Sequence, residues 1–358
     1  MPVPFAIRLI LPVLFFGYAV VGGLQALRVS QIPLPQDALL SGGLTASFER
    51  LYKRDLPHHA LAFGVVGATR YALLHEAQAG AITGHDGWLF TAEEARPSPA
   101  SLSPIVDAIT HIHARLAARG VGLILLPLPE KIDIASAHAP SAALSQRAAI
   151  LHGDFLAALD AAGIDAINLR PALSGPPARF FKTDTHWTPE GARLSAEALA
   201  ASGHLPLGDL RYTTTALPDA WHSGDLIAFV TTPVFAPTIG LPPEVLPQTR
   251  LTPIDTTDIF ATSATDLVLI GTSYSANPDW GFADALMQAL GRDVVNLAEP
   301  GLGPMHPMLR YLDSADLAAD PPTTVIWEFP IRALTDPALL TTPAPDLVAQ
   351  SAAGGPNG

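Results

Sequence analysis

The chain has 358 residues, 49% of them hydrophobic and 15% charged, with 33 acidic residues against 20 basic ones. A net charge of −13 argues against a nucleic-acid partner, because phosphate binders present a cationic face. The absence of cysteine excludes disulfides, thiolate–zinc and iron–sulfur sites and a cysteine nucleophile.

The length suits one large α/β domain, or one and a half domains. Leu9 to Leu27 carries a single polar residue, Gln25, and no charge, close to the ~20 residues that cross a bilayer core. Arg8 and Arg28 flank the run almost symmetrically, so orientation is weakly marked. Residues 1–30 read as a signal anchor, with a cleaved signal peptide or a buried core helix as alternatives. The acidic bulk would then face an exported compartment: a single-pass inner-membrane protein with its soluble part in the periplasm.

Residues 31–79 form an expected linker and helical lead-in, punctuated by Pro33, Pro35 and Gly42-Gly43. Gly84 to Phe90 reads as turn chemistry followed by a hydrophobic staple. From Ser101 the pattern is helical: Ile105, Ile109, Ile112 and Leu116 share a face, and Gly120 ends it. Val121–Leu126 follows as a buried strand, then a helix over about Ala142–Ala162 and a second short strand, Ile164–Leu169. Residues 205–262 are proline- and threonine-rich and read as an irregular insertion or lid. Alternation resumes with strands at Asp266–Ile270, Val294–Leu297 and Thr324–Phe329, and helices at Ala283–Leu290 and Pro304–Leu312. That alternation predicts a mostly parallel sheet with helices on both faces. Residues 341–358 are expected to be a flexible tail.

Two segments carry possible chemistry. In Asp184-Thr185-His186-Trp187-Thr188-Pro189-Glu190-Gly191-Ala192, Thr188 suits an N-cap and Pro189 a first helical turn. Asp184 and His186 then lie on the preceding loop, where a carboxylate could fix the imidazole tautomer and stabilise its charged form. In Leu267-Val268-Leu269-Ile270-Gly271-Thr272-Ser273-Tyr274-Ser275, an apolar strand runs into a glycine and a serine at its carboxyl end, where ligand sites gather in parallel sheets. Alone, the first segment reads more readily as a capped helix start and the second as an ordinary turn, with Ser275 a competitor to Ser273. Together they supply a serine, a histidine and an aspartate.

These strings, with the later N-x-A-x-x-G and W-E-F-P-x-R and the early Gly87-Trp88-Leu89-Phe90, resemble the alginate O-acetyltransferase family of AlgJ/AlgX type, relatives of the SGNH hydrolases. The resemblance spans about residues 80–335. It implies an SGNH-like, circularly permuted α/β domain over 80–340, preceded by the N-terminal transmembrane helix. It also implies acetyl transfer onto hydroxyls of an exopolysaccharide, within a secretion complex whose membrane-bound O-acyltransferase delivers the acetyl group. By position, Ser273 resembles the nucleophile, His186 the base and Asp184 its orienting carboxylate. Asn296 and Gly301 resemble the block whose glycine N–H serves the oxyanion hole, which implies Ser273 N–H and Gly301 N–H as its donors and a structural part for Asn296. Tyr274, Trp187 and Arg332 are candidate substrate contacts; Trp88 and Trp280 could also stack on sugar rings, though such aromatics are as readily core. Glu328 and Arg332 could line the rim or pair with each other. The pattern departs from typical SGNH enzymes because the Asp–His pair precedes the serine by 87 residues and no Gly-x-Asn-Asp block follows. No cofactor and no metal are expected; His111-x-His113 faces two sides of a helix. An acetylesterase with the same triad and a non-catalytic scaffold subunit are the rival readings.

Overall fold

The computed structural model describes residues 5–29, 59–254 and 266–340, and within the first helix the side chains of 13–25. Most of the expected linker, residues 255–262 of the expected insertion, and the expected tail from 341 lie outside the described residues.

Helix α1 (Phe5–Val29) covers the apolar N-terminal run, with Val13, Leu14, Phe15 and Phe16 exposed. Among the described residues, no helix is long and apolar enough to cross a membrane. Helix α2 (His59–Leu74) leads into a small antiparallel hairpin, β1 (Ala81–Thr83) and β2 (Leu89–Thr91). Here the expected turn-and-staple is a true hairpin. Asp86 and Gly87 take positive φ at its tip (56° and 79°), which is how the chain reverses so tightly.

The centre is a four-stranded parallel sheet ordered β3 (Gly122–Leu128), β8 (Thr324–Pro330), β6 (Leu267–Ile270), β7 (Val294–Asn296). Alternate side chains go to opposite faces. Ile124, Leu126, Leu267, Leu269 and Ile326 pack toward α5 (Pro189–Ala201) and α7 (Phe282–Leu290). Leu123, Leu125, Val268, Ile270, Val325 and Trp327 pack toward α3 (Ser103–Ala117), α4 (Ala142–Ala161) and α8 (Met305–Leu312). In α3 the four residues read from periodicity, Ile105, Ile109, Ile112 and Leu116, are all buried.

Two expectations are corrected. Ile164–Leu169 is not a strand: it meets β3 only through a bridge between Leu125 and Ala166. The Asn168 side chain then accepts from Arg170 N–H, and a helical turn over Arg170–Leu173, with Pro171 in its first turn, carries the chain off the sheet edge. Residues 205–254 are not irregular either. They contain a long antiparallel ribbon, β4 (Tyr212–His222) paired with β5 (Glu244–Pro253), interrupted by a register shift between Leu217 and Ala220. Its faces are largely exposed, so it lacks the apolar alternation that announces a strand, while its threonines favour extended backbone.

Candidate active site

Strand β6 ends at Ile270 in the middle of the sheet, and the next five residues shape a sharp turn. Thr272 caps the short helix α6 (Ser273–Ala276), so Ser273 stands at its first position. Gly271 is required by its neighbours: a Cβ there would lie 2.6 Å from a Glu328 carboxylate oxygen and 3.0 Å from Glu328 Cβ. Glu328, fully buried on β8, accepts from Thr272 N–H (2.7 Å), from the Thr272 hydroxyl (3.0 Å) and from Ser275 Oγ (3.1 Å). Glu328 and Ser275 therefore hold the turn from beneath, and Ser273 projects from its top.

The other half comes from the loop before α5. Thr188 caps that helix, accepting from Gly191 N–H, and Pro189 opens it. His186 Nε2 lies 2.7 Å from Ser273 Oγ, and His186 Nδ1 lies 2.6 Å from Asp184 Oδ1. Asp184 also accepts from the His186 backbone N–H. With Nδ1–H donating to the carboxylate, Nε2 is left as the acceptor facing the serine hydroxyl. The imidazole is wedged between Tyr274 and Trp280, at ring-centroid distances of 4.8 and 5.4 Å.

Asp184 has two further partners that the sequence reading missed. His222 Nε2 lies 2.8 Å from Oδ2, and Asp225 N–H donates to the same oxygen at 2.9 Å. Burial alone would raise this carboxyl, but the two imidazoles and the His186 backbone amide hold it well below the usual carboxylate range. For His222, burial pulls downward, yet the hydrogen bond and charge of Asp184, with Glu244 and Asp225 behind, leave it raised. Asp225 is raised by burial and by the neighbouring Asp184 charge. Lys131 is the third missed residue. Buried just after β3, it donates to the carbonyls of Leu89, Lys182 and Asp184 at 2.5, 2.9 and 2.8 Å, and burial lowers it to about 8. The sequence signal at 222–225, a histidine, a glycine and an aspartate within four residues, cannot be told from a turn. Gly224 is what lets that segment close: a Cβ would sit 2.1 Å from Thr183 O and 2.6 Å from Asp184 N. Gly224→Ala is expected to cost about 1–3 kcal/mol by overpacking, read as a lowered melting temperature. A melt identical to the parent's would mean the loop yields freely.

Ser273, His186 and Asp225 line a pocket of about 460 Å³, together with Thr91, Glu93, Arg96, Thr185, Phe229 and Arg332. Arg332 Nε donates to Glu93 (3.0 Å) and its Nη1 to the Tyr274 hydroxyl (2.6 Å). Arg332 is thus the one candidate substrate contact on the pocket wall. Tyr274 is buried and spends its hydroxyl on Thr185 O and Arg332. Trp187 is fully buried, donating to Tyr274 O and packing on Phe282, so it cannot reach a sugar. Trp88 and Trp280 are core residues too. Neither Asn296 nor Gly301 is among the residues that line this pocket. The Asn296 amide donates to Ser275 O (2.7 Å) and its carbonyl accepts from Ala298 N–H, tying β7 to the serine turn. Gly301 sits in an exposed turn with φ 79°. Glu328 does not pair with Arg332 but binds the turn. Asp184, His186 and Asp225 each offer an atom within 4.8 Å of the others, a spacing a cation could bridge. A cation there would take the Nδ1 lone pair that the Asp184 hydrogen bond requires to be protonated, so this donor set suits the hydrogen bond better.

Residues 81–331 match the family described as SGNH hydrolase-like domain, acetyltransferase AlgX. The probable alginate O-acetylase AlgJ of Pseudomonas aeruginosa is 36% identical over 342 residues, covering 88% of this chain and 86% of that protein. The AlgJ of Azotobacter vinelandii is equally similar, 36% identical over 336 residues, with the same shares covered. Among solved structures, the O-acetyltransferase domain of Pseudomonas putida AlgJ superimposes with a TM-score of 0.64 at 33% identity, covering 76% of this chain and 98% of that one. Pseudomonas aeruginosa AlgX shares the fold, with a TM-score of 0.57 at 22% identity over 72% of this chain and 66% of that one. The chain belongs to the AlgX-type acetyltransferase family of SGNH hydrolase-like proteins.

Proposed function

We propose that this chain is an O-acetyltransferase that moves acetyl groups onto hydroxyls of an exopolysaccharide through an acetyl-serine at Ser273. The observation that carries the reading is the continuous pair of short contacts, 2.7 Å from Ser273 Oγ to His186 Nε2 and 2.6 Å from His186 Nδ1 to Asp184. His186 takes the Ser273 proton as Oγ attacks the acetyl carbonyl, and returns it to the departing donor group. The acceptor hydroxyl then enters the pocket, gives its proton to His186 and attacks the acetyl carbon. Ser273 leaves with that proton and the cycle closes. General-base assistance of this kind is worth ~10²–10⁴-fold. Ser273 N–H and the Arg332 guanidinium are the donors offered to the oxyanion, where losing one costs ~10²–10³-fold.

The relatives are named for alginate, which makes it the leading acceptor. The apolar α1 run and the acidic domain behind it support a single-pass inner-membrane anchor with the domain in the periplasm. The acetyl donor would be supplied there by a membrane-bound O-acyltransferase. Domain limits of 1–30, 31–79, 80–340 and 341–358 follow from the same reading.

Incubating the protein with p-nitrophenyl acetate, with and without an alginate oligosaccharide, tests it. Nitrophenol release with acetylated oligosaccharide as product is expected. Release that ignores the acceptor marks an esterase, and no release above background marks a scaffold.

A further inference from the structure

The end of the β4–β5 ribbon is a mould around the loop that carries Asp184 and His186. His222 closes β4 directly opposite Glu244, which opens β5. Glu244 accepts from Lys182 N–H, Thr183 N–H and the Thr183 hydroxyl (2.9, 3.0 and 3.1 Å). Asp225 accepts from Thr185 N–H (2.8 Å), and its own N–H donates to Asp184 Oδ2. His222 Nε2 takes the remaining position on that oxygen. Its ring is held by Phe181 at 4.9 Å and Trp280 at 5.2 Å, the same tryptophan that stacks on His186. Four loop residues in succession, 182 to 185, are therefore gripped by the ribbon end and the turn that follows it. One buried carboxylate serves two imidazoles, one on each oxygen.

We infer that His222 is a positioning residue of the acetyl-transfer reaction, fixing the second oxygen of Asp184 and dividing its negative charge between two imidazoles. The inference rests on the reading of His186 as the base. With both oxygens of Asp184 saturated, the carboxylate cannot rotate away from His186 Nδ1, which preserves the tautomer that accepts the serine proton. When His222 carries a proton, it cancels part of the charge that stabilises the imidazolium of His186. The base is then weaker than a dyad with an undivided carboxylate. The other charged groups around this cluster are Glu244 on the ribbon, Asp225 just after it, Lys131 bound to the Asp184 carbonyl, and Arg332 on the wall of the pocket that His186 lines.

The test compares full-length parent, His222→Phe and His222→Gln. Phenylalanine keeps the ring packing and deletes the donor; glutamine restores an N–H near the Nε2 position. Each is followed by kcat and KM for acetyl transfer across pH, and by NMR titration of the imidazole of His186. For His222→Phe the expected results are a ~10–100-fold loss in kcat, a KM for acceptor within ~3-fold, and an acid limb displaced to higher pH. The same upward displacement is expected in the imidazole titration, because the whole Asp184 charge now faces His186. His222→Gln is expected to recover kcat to within ~3-fold of the parent. Unchanged kcat in His222→Phe, or a loss with neither profile displaced, overturns the inference. So does a glutamine variant as poor as phenylalanine. The NMR arm needs no turnover, so if the parent shows no acetyl transfer the reading of His186 fails while the charge division is still decided.

Discussion

Ser273→Ala is expected to lower acetyl transfer by ~10⁶-fold, to the level the pocket supports without a nucleophile. The size follows from the unit the three residues form. Without Oγ nothing attacks the acetyl carbonyl, and the 2.7 Å contact that would pass a proton to His186, held in place by its 2.6 Å contact to Asp184, has none to pass. Asp184→Asn is expected to cost less, ~10⁴-fold, because an amide offers its N–H where the imidazole N–H must donate and so favours the wrong tautomer. The double variant should be no worse than Ser273→Ala, since members of one catalytic unit are grossly non-additive. Trapping an acetylated peptide containing Ser273 by mass spectrometry separates covalent transfer from direct attack. An alanine variant that retained more than about a hundredth of parental transfer would place the nucleophile elsewhere, with Ser275 disfavoured because its hydroxyl is buried on Glu328.

The sheet was legible because its strands are apolar runs bounded by glycine and proline, and α3 because four apolar residues repeat at helical spacing. Asp184, His186 and Ser273 were legible because each stands beside an element end that the sequence marks, Thr188-Pro189 for one loop and Gly271 for the other. The second half of the site was not. His222 ends, and Asp225 follows, a strand of a ribbon exposed on both faces, whose threonines and prolines read as irregular chain. Lys131 and Glu328 are charged residues in the interior, where composition alone gives no reason to place them. Aromatic residues misled in the opposite direction. Trp187 and Tyr274 flank the reacting residues in sequence, yet their rings face inward to fix the imidazole and the serine turn. Neighbourhood along the chain located the site but did not say which side chains face solvent.

Glu328→Ala is expected to destabilise the protein by about 3–5 kcal/mol, through a cavity beneath the serine turn and an orphaned Thr272 N–H. At about 2–4 °C per kcal/mol, the melting temperature should fall on the order of 10 °C, and transfer should fall with it as the turn relaxes. Glu328→Gln separates volume and hydrogen bonding from charge. Its carbonyl can accept from Thr272 N–H, and its amide can donate to the Thr272 or Ser275 hydroxyl, so it should melt near the parent. Burial raises the Glu328 carboxyl, outweighing the lowering by Thr272, Ser275 and Arg332. A folded value above the unfolded ~4.3 means that the acid's stabilisation is complete below that pH and is lost as pH rises through the folded value. Between about pH 4 and neutrality, the glutamine variant should therefore gain on the parent, because it keeps the uncharged partner that the parent gives up. A parent that gained on the variant over that interval would mean that the donors around Glu328 outweigh its desolvation, and that the turn beneath Ser273 is held by a full negative charge.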